Sequence, residues 1–205
     1  SPGLILVGAR QAGSSHVCTL SVPILSANGL SIMGVPNNLS FHALAFSGEN
    51  AYSGETRIGS VSVNAGNAKC FSTGDVYTIP GKCYGGGVRL TCEGGVWHNN
   101  FHLSGQGIRS RKWDKEEFCE TGFALGFSRN GEVAGNVSID RFARLTTSTN
   151  PVVGKISGVV SGGMLEIYQT KGAIRLLNDN TYTGGTYVVD STLELGRGTS
   201  AGTGD

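Results

Sequence analysis

The stretch that decides the fold is NDNTYTGGTYVV at residues 178–189, a polar turn cluster with a Gly-Gly step. It follows the apolar run 174–177 and leads into the alternating segment 191–196. The same layout occurs at residues 49–66, at a constant offset of 130 residues. A repeated strand–turn–strand unit is typical of solenoids, in which each unit stacks on its neighbours. The identical residues that we assign to the corner of the unit are Asn50, Tyr52 and Gly54 in the first copy and Asn180, Tyr182 and Gly184 in the second.

This unit resembles the passenger-domain repeat of bacterial autotransporter proteins, an apolar strand followed by Asn-Thr-Tyr-Thr-Gly-Gly-Thr and a second strand. The match is good over residues 174–196, and residues 154–164 resemble the usual lead-in. The copy at residues 44–66 has Glu55 in place of the second glycine and Ala51 in place of the first threonine. The resemblance implies a right-handed parallel β-helix that is exported and displayed on, or released from, the bacterial cell surface. It also implies an outer-membrane β-barrel translocator in the parent chain. It implies no single activity, because such passengers include adhesins, proteases and esterases.

Composition and alternation support the same fold class. Glycine makes up 33 of 205 residues, more than twice the usual share of about 7%, and small polar residues suit tight corners. Segments such as 88–92 alternate, with Val88, Leu90 and Cys92 expected inside. A β-sandwich would also show short alternating strands, and a Gly-Gly step can equally form a two-residue hairpin turn. The spaced repeat favours the solenoid over that alternative.

We therefore predict an all-β, right-handed parallel β-helix with an N-terminal capping segment and one charged loop insertion. Residues 1–40 would form the cap and the first coils, and residues 41–205 the repeats, interrupted by the insertion at 107–122. A coil length of about 20–25 residues, by analogy with other short-period repeats, would give about eight to ten coils.

Charge and hydropathy limit the classes of function that the chain can have. Only 15% of the residues are charged and the formal net charge is +1, so there is no electrostatic footprint for nucleic acid or an anionic membrane. Residues 4–7 are too short for the core of a signal peptide. Any export signal is therefore expected to be removed or to lie outside this sequence. Residues 198–205 end in a loop directly after a repeat, which suggests a piece of a longer protein.

The cysteines suggest disulfides, because an exported chain meets oxidising conditions. Loop proximity favours the pairs Cys70–Cys83 and Cys92–Cys119. Cys18 would then stay free or pair between chains. The alternative is that the cysteines remain reduced and pack as small hydrophobic side chains. No Cys-x-x-Cys spacing of a zinc site occurs.

No catalytic or metal motif stands out. The chain contains no Gly-x-Ser-x-Gly. His98 and His102 are four residues apart, but on strands and a corner this spacing does not create a metal-binding face. We predict neither a metal ion nor a cofactor. Asp140, with Arg141 and Arg144, is nearest to the charged cluster that a polysaccharide-cleaving β-helix would need, and a solvated strand edge explains it more simply.

The charged insertion is the best candidate for binding. An aromatic side chain among cations can anchor a partner or stack on a sugar ring. The alternative is a solvated loop whose tryptophan packs back on the solenoid. Trp97 and Tyr84 could line a glycan-binding face, although packing in the core or at its rim is the simpler expectation. The candidate binding residues of the insertion are Arg109, Arg111, Lys112, Trp113 and Lys115.

The leading functional hypothesis is a non-enzymatic, surface-exposed or secreted bacterial β-helix module that acts in adhesion or cell-surface structure. Its partner would be a host or matrix protein or a glycan receptor, and nucleic acid is not expected. One alternative is a self-assembling extracellular fibre subunit that stacks end to end. Another is a polysaccharide-active β-helix enzyme.

Overall fold

The computed structural model describes residues 2–8, 16–25, 28–34, 42–80, 86–105, 122–148, 151–168, 171–196 and 202. These residues form strands and turns but no helix, and so no helix that could span a membrane is found among them. The strands, numbered in chain order, are β1 (Gly3–Val7), β2 (His16–Leu20), β3 (Asn28–Gly34), β4 (His42–Phe46), β5 (Ser53–Gly59), β6 (Ser62–Ala65), β7 (Val76–Thr78), β8 (Gly87–Leu90), β9 (Gly95–Trp97), β10 (Phe101–Gly105), β11 (Leu125–Phe127), β12 (Gly131–Val133), β13 (Val137–Thr147), β14 (Val153–Ile156), β15 (Val160–Tyr168), β16 (Ala173–Leu176), β17 (Thr181–Tyr182), β18 (Thr186–Val189) and β19 (Thr192–Leu195).

The fold is a parallel β-solenoid of about seven turns, which we call coils. Face 1 consists of β1, β3, β5, β7, β10, the first parts of β13 and β15, and β17. Face 2 consists of β2, β4, β6, β8, β11, the second parts of β13 and β15, and β18. Face 3 consists of β9, β12, β14, β16 and β19. Faces 1 and 2 belong to one sheet, because β13 and β15 continue around the corner between them.

The coils differ in length. Hydrogen bonds between adjacent coils join residues that are 20 positions apart at Asn50 and Cys70 but 36 apart at Asn100 and Asn136. Hydrogen bonds to the neighbouring coil fix the positions of the strands, so extra residues must be accommodated in the loops at the corners. The longest coil includes residues 106–121, which lie outside the described residues. Because some coils are longer than 25 residues, the predicted number of eight to ten coils is wrong, and the solenoid has about seven.

Inward side chains stack in register along the solenoid. On face 1, Val76, Phe101, Val137 and Val160 follow one another in adjacent coils, and all are buried. Neighbouring strands lie about 4.8 Å apart, so each apolar side chain rests on the one below it. Each such side chain contributes about 1.5–3 kcal/mol by its removal from water. The alternation in the sequence therefore becomes a continuous apolar core.

The strands that follow the two repeated corners lie on different faces. Thr56 pairs with Val76 on face 1, whereas its sequence counterpart Thr186 pairs with Leu165 on face 2. The offset of 130 residues is therefore not a whole number of coils. What the copies share is local. Tyr52 and Tyr182 are both fully buried, and each hydroxyl hydrogen-bonds to the threonine four residues further along the chain. Burial raises the pKa of both tyrosines.

The described part of residues 1–40 consists of solenoid strands. β1 pairs in parallel with β3 on face 1, and β2 pairs in parallel with β4 on face 2. Leu4 and Leu6 of β1 are 62% and 65% exposed. The N-terminal residues therefore extend the sheet at its first coil, in the same direction as the later coils.

Candidate functional site

One outward-facing row of side chains runs along face 1. Alternation places these side chains outside, because the flanking residues of their strands are buried, apart from Gly162 beside the last of them. Pairing between coils aligns Arg57 with Tyr77, Tyr77 with His102, His102 with Ser138, and Ser138 with Ser161. We call these five residues the outer row. They come from five consecutive coils, and their spacing is set by the strand ladder alone.

Aromatic and cationic groups stack along the first part of the outer row. The rings of Tyr77 and His102 lie 4.1 Å apart and are parallel within 6°. The Arg57 guanidinium lies 5.2 Å from the centre of the Tyr77 ring on its other side. Glu55 accepts a hydrogen bond from Arg57, and this contact raises the pKa of the guanidinium. The stack holds the His102 ring in one orientation.

Asp75 completes a hydrogen-bonded row with His102 and Ser138. Its Oδ2 lies 3.0 Å from His102 Nε2, and its Oδ1 accepts a hydrogen bond from Asn100 at 3.0 Å. His102 Nδ1 lies 2.7 Å from Ser138 Oγ. An ionised carboxylate can only accept, so in the neutral form of the imidazole the proton is assigned to Nε2 and Nδ1 accepts from the serine hydroxyl. Asp75 and His102 are 38% and 34% exposed, so solvent reaches the row.

An open groove of about 470 Å³ lies beside His102 and Ser138. Ile79 and Pro80 supply apolar lining, and Arg57, Ser104 and Asp140 supply charged or hydroxyl groups. His102 and Ser138 also line the groove. The groove therefore places the hydrogen-bonded row, an apolar surface and two opposite charges within reach of one ligand.

The binding residues predicted in the insertion lie outside the described residues, as does Tyr84. Trp97 is fully buried on face 3, where it pairs with Val133, so packing in the core is its role. His98 is exposed, while His102 belongs to the outer row. Within the described residues, no group of three or more His, Cys, Asp and Glu side chains could hold a metal ion.

The charged cluster around Asp140 is divided by a bend in β13. The pairing of β13 shifts between Ile139 and Phe142, where the chain turns from face 1 to face 2. Asp140 is exposed and lines the groove. Arg144 is buried on face 2, where it pairs with Glu166 and stacks 4.0 Å from the Tyr168 ring. Only Asp140 of this pair can therefore contact a ligand in the groove.

The predicted corner residues join coils to one another. Asn50 Oδ1 accepts a hydrogen bond from the Ile24 N–H at 2.7 Å, and its amide donates to the Cys70 carbonyl. Asn180 Oδ1 accepts from the Val160 N–H at 2.7 Å. Gly54 has a φ of +82°, and a Cβ at Gly184 would lie 2.5 Å from the backbone nitrogen of Met164 in the preceding coil. These residues stabilise the corners.

The predicted disulfides are wrong at the partners that the structure describes. Cys18, Cys70 and Cys92 are free thiols, while Cys83 and Cys119 lie outside the described residues. Cys70 is fully buried and packs in the core as a small hydrophobic side chain. Burial raises the pKa of its thiol to about 12. The alternative of reduced, packed cysteine therefore holds for Cys70.

Sequence reasoning did not group Asp75, His102 and Ser138. Asp75 and His102 are 27 positions apart, and His102 and Ser138 are 36 apart. No motif has these spacings. The one signal in the sequence is the position of each residue relative to the inward-facing residues of its own strand, and this is useful only once the length of every coil is known.

Comparisons with protein-family models, with curated proteins and with solved structures find no match to this chain. The class of protein is therefore defined by its own geometry: a parallel β-solenoid with an open, partly polar groove on face 1.

Proposed function

We propose that this chain is a surface-exposed or secreted bacterial β-solenoid module that binds glycans in the face 1 groove, in adhesion or cell-surface structure. The observation that carries this proposal is the groove itself, with its apolar lining and convergent polar groups. The resemblance to autotransporter passenger repeats supports export to the cell surface, with association to the outer membrane through the parent chain.

The chemistry of the groove suits sugars. A sugar ring has C–H groups that favour apolar contact and hydroxyl groups that need directed hydrogen bonds. Ile79, Pro80 and the edge of Tyr77 offer the first, and Arg57 and Asp140 offer charged donors and acceptors for the second. The volume of about 470 Å³ lies within the range of about 300–1,000 Å³ usual for ligand sites. The groove is open and crosses several coils, which suits a chain-like ligand.

The test is a glycan array, followed by calorimetry with the glycans that bind. We expect Arg57→Ala and Asp140→Asn each to weaken binding about tenfold or more, since a hydrogen bond to a charged group contributes about 1.5–3 kcal/mol. Asp190→Asn is the matched control, because Asp190 is exposed and does not line the groove. Asn also tolerates the positive φ of 46° at this position.

Three results would contradict the proposal or change it. If no glycan binds, or if the groove variants bind as well as the Asp190→Asn control, the groove is not a glycan site. If the variants lose binding to a protein from the extracellular matrix instead, the groove remains the site but the ligand class is wrong.

A second candidate is self-association through the terminal coils. Large apolar side chains are exposed on the first and last described coils, among them Leu6 at 65% and Tyr187 at 61%. Exposed strand edges with apolar side chains favour pairing with another chain. Filaments that form with rising concentration in electron microscopy, and that Leu6→Lys suppresses, would support this candidate. A concentration-independent monomer in sedimentation experiments would rule it out.

A further inference from the structure

The Asp75–His102–Ser138 row has the geometry of an activated nucleophile. A serine becomes nucleophilic when a base lies within about 2.6–3.2 Å and a third group orients that base. Ser138 Oγ lies 2.7 Å from His102 Nδ1, and His102 Nε2 lies 3.0 Å from Asp75 Oδ2. The two ring nitrogens have the opposite roles from those in serine proteases, but His102 can still take the serine proton while Asp75 orients the ring and stabilises the imidazolium.

The row is held on rigid elements. Its members belong to, or directly precede, strands of three consecutive coils, and strands hold side chains more precisely than loops do. Tyr77 covers one face of the His102 ring, and Asn100 holds the second oxygen of Asp75. Asn100 is itself fixed, because its side-chain oxygen accepts from the Asn136 N–H at 3.0 Å. The base and its orienting carboxylate are therefore positioned before any ligand binds.

The next residue of the outer row offers a hydroxyl that can donate to the developing oxyanion. Ser161 follows Ser138 in the outer row, on the side away from His102. Neighbouring strands lie about 4.8 Å apart, so a carbonyl oxygen attached to Ser138 Oγ would come within reach of the Ser161 hydroxyl. Hydroxyl donors of this kind stabilise tetrahedral intermediates. Ser138 lines the groove, so a bound ligand reaches the nucleophile directly.

We propose that Ser138, His102 and Asp75 form a hydrolytic centre for acyl esters carried by a glycan in the groove. The substrate class rests on the proposed glycan binding, whereas the nucleophile does not. Ser138 Oγ adds to the ester carbonyl carbon while His102 Nδ1 takes its proton, and Asp75 stabilises the imidazolium through Nε2. The ester C–O bond then breaks, and the sugar oxygen leaves with the proton from Nδ1.

Water completes the cycle. It adds to the acyl group on Ser138 and gives its proton to His102 Nδ1. The bond between the acyl group and Ser138 Oγ then breaks, and Oγ recovers the proton from Nδ1. The net reaction consumes one ester and one water and releases one sugar hydroxyl and one carboxylic acid. No oxidant, reductant or metal ion is needed.

The first test uses a fluorophosphonate probe on the unmodified protein, with the labelled residue mapped by mass spectrometry. We expect labelling at Ser138 that is lost when the protein is unfolded before labelling. A result with no label, or with label spread over exposed serines, would overturn the proposal without any variant. Because this measurement uses the native chain, a variant that fails to fold cannot confuse it.

The second test follows hydrolysis of 4-nitrophenyl acetate. We expect Ser138→Ala and His102→Gln each to lower the rate of hydrolysis by about 10³-fold or more, as removal of the serine or its base does in other serine hydrolases. Ser31→Ala is the matched control, because Ser31 lies on face 1 opposite Arg57, away from the histidine. We expect it to keep full activity. Equal rates for Ser138→Ala and Ser31→Ala would contradict the proposal.

Asp75 is a positioning residue, and its role is tested separately. We expect Asp75→Asn to lower kcat by up to about 10⁴-fold while KM changes little, because the wrong tautomer is then favoured. A purely structural role would lower thermal stability without this split. We expect Ser161→Ala to lower kcat by about 10²-fold.

Glycan binding and hydrolysis can fail independently. Glycan binding and labelling of Ser138 are therefore both measured on the native chain. If binding is retained but Ser138 is never labelled, the hydrolytic centre is wrong and the row only joins three coils. If Ser138 is labelled and no glycan binds, the centre stands and the substrate class is wrong.

Discussion

Replacing the buried corner asparagine Asn50 tests how the coils are held together. Its side chain joins three coils: Oδ1 accepts from the Ile24 N–H at 2.7 Å, and the amide donates to the buried Cys70 carbonyl. Asn50→Ala removes two hydrogen bonds with a net contribution of about 1 kcal/mol each. It also leaves a buried backbone carbonyl without its side-chain donor, at a further cost of about 1–3 kcal/mol.

We therefore expect Asn50→Ala to lower the free energy of unfolding by about 3–5 kcal/mol. The measurement is urea denaturation followed by circular dichroism, with linear extrapolation to water. Asn50→Asp separates the two contributions, because it keeps the acceptor for Ile24 and replaces the amide donor to Cys70 with a group that cannot donate. Its loss of stability at neutral pH should be at least as large.

Asn178 provides the matched control. Its amide also donates to the preceding coil, to the Ser157 carbonyl at 3.1 Å, but at an exposed position. Water can replace that bond, so we expect Asn178→Ala to cost about 0.5–1 kcal/mol. If Asn50→Ala costs no more than Asn178→Ala, buried side-chain amides do not hold the coils together, and this account of the corners is refuted.

Three other predictions follow from packing and burial. A Cβ at Gly86 would lie 1.8 Å from the Ile58 carbonyl oxygen, so we expect Gly86→Ala to cost about 3 kcal/mol or more. Gly94 has open space but φ +65, so Gly94→Ala should cost about 1 kcal/mol; equal costs in urea denaturation would contradict the packing at Gly86. Iodoacetamide should modify exposed Cys18 but not buried Cys70 in the folded protein, as read by mass spectrometry. Burial raises the pKa of Cys70 from 9.0 to about 12, so the unfolded chain loses this proton first. The free energy of unfolding should then fall above pH 9 by up to about 1.4 kcal/mol per pH unit, and Cys70→Ala should remove that part of the pH dependence.

Local patterns in the sequence predict the strands and their inward faces well. Alternation at residues 88–92 places Val88, Leu90 and Cys92 inside; Val88 and Leu90 are buried, and Cys92 is partly buried against the core. Val137 and Ile139 in β13 alternate with polar residues in the same way and are also buried. These predictions succeed because the side-chain direction alternates with a period of two whatever the strand pairs with. The polar motif around Asn180 likewise predicts a corner, because its turn residues act locally.

The local sequence of a repeat does not predict its position around the solenoid. Tyr52 and Tyr182 have the same burial and the same bond to a threonine hydroxyl, yet Thr56 lies on face 1 and Thr186 on face 2. A repeat in the sequence thus predicts the corner but not its position around the solenoid. The cysteine pairing was wrong for a related reason, since proximity along the chain does not show that Cys70 points into the core.

The sequence by itself determined an all-β parallel solenoid, its inward-facing residues and the chemistry of its corners, because each depends on residues within a few positions. Only the tertiary structure decided which residues of different coils lie side by side. Coils that vary from 20 to 36 residues shift the register by amounts that no local pattern encodes. That register places Asp75, His102 and Ser138 in one hydrogen-bonded row beside a groove, although 63 positions of chain separate the first from the last.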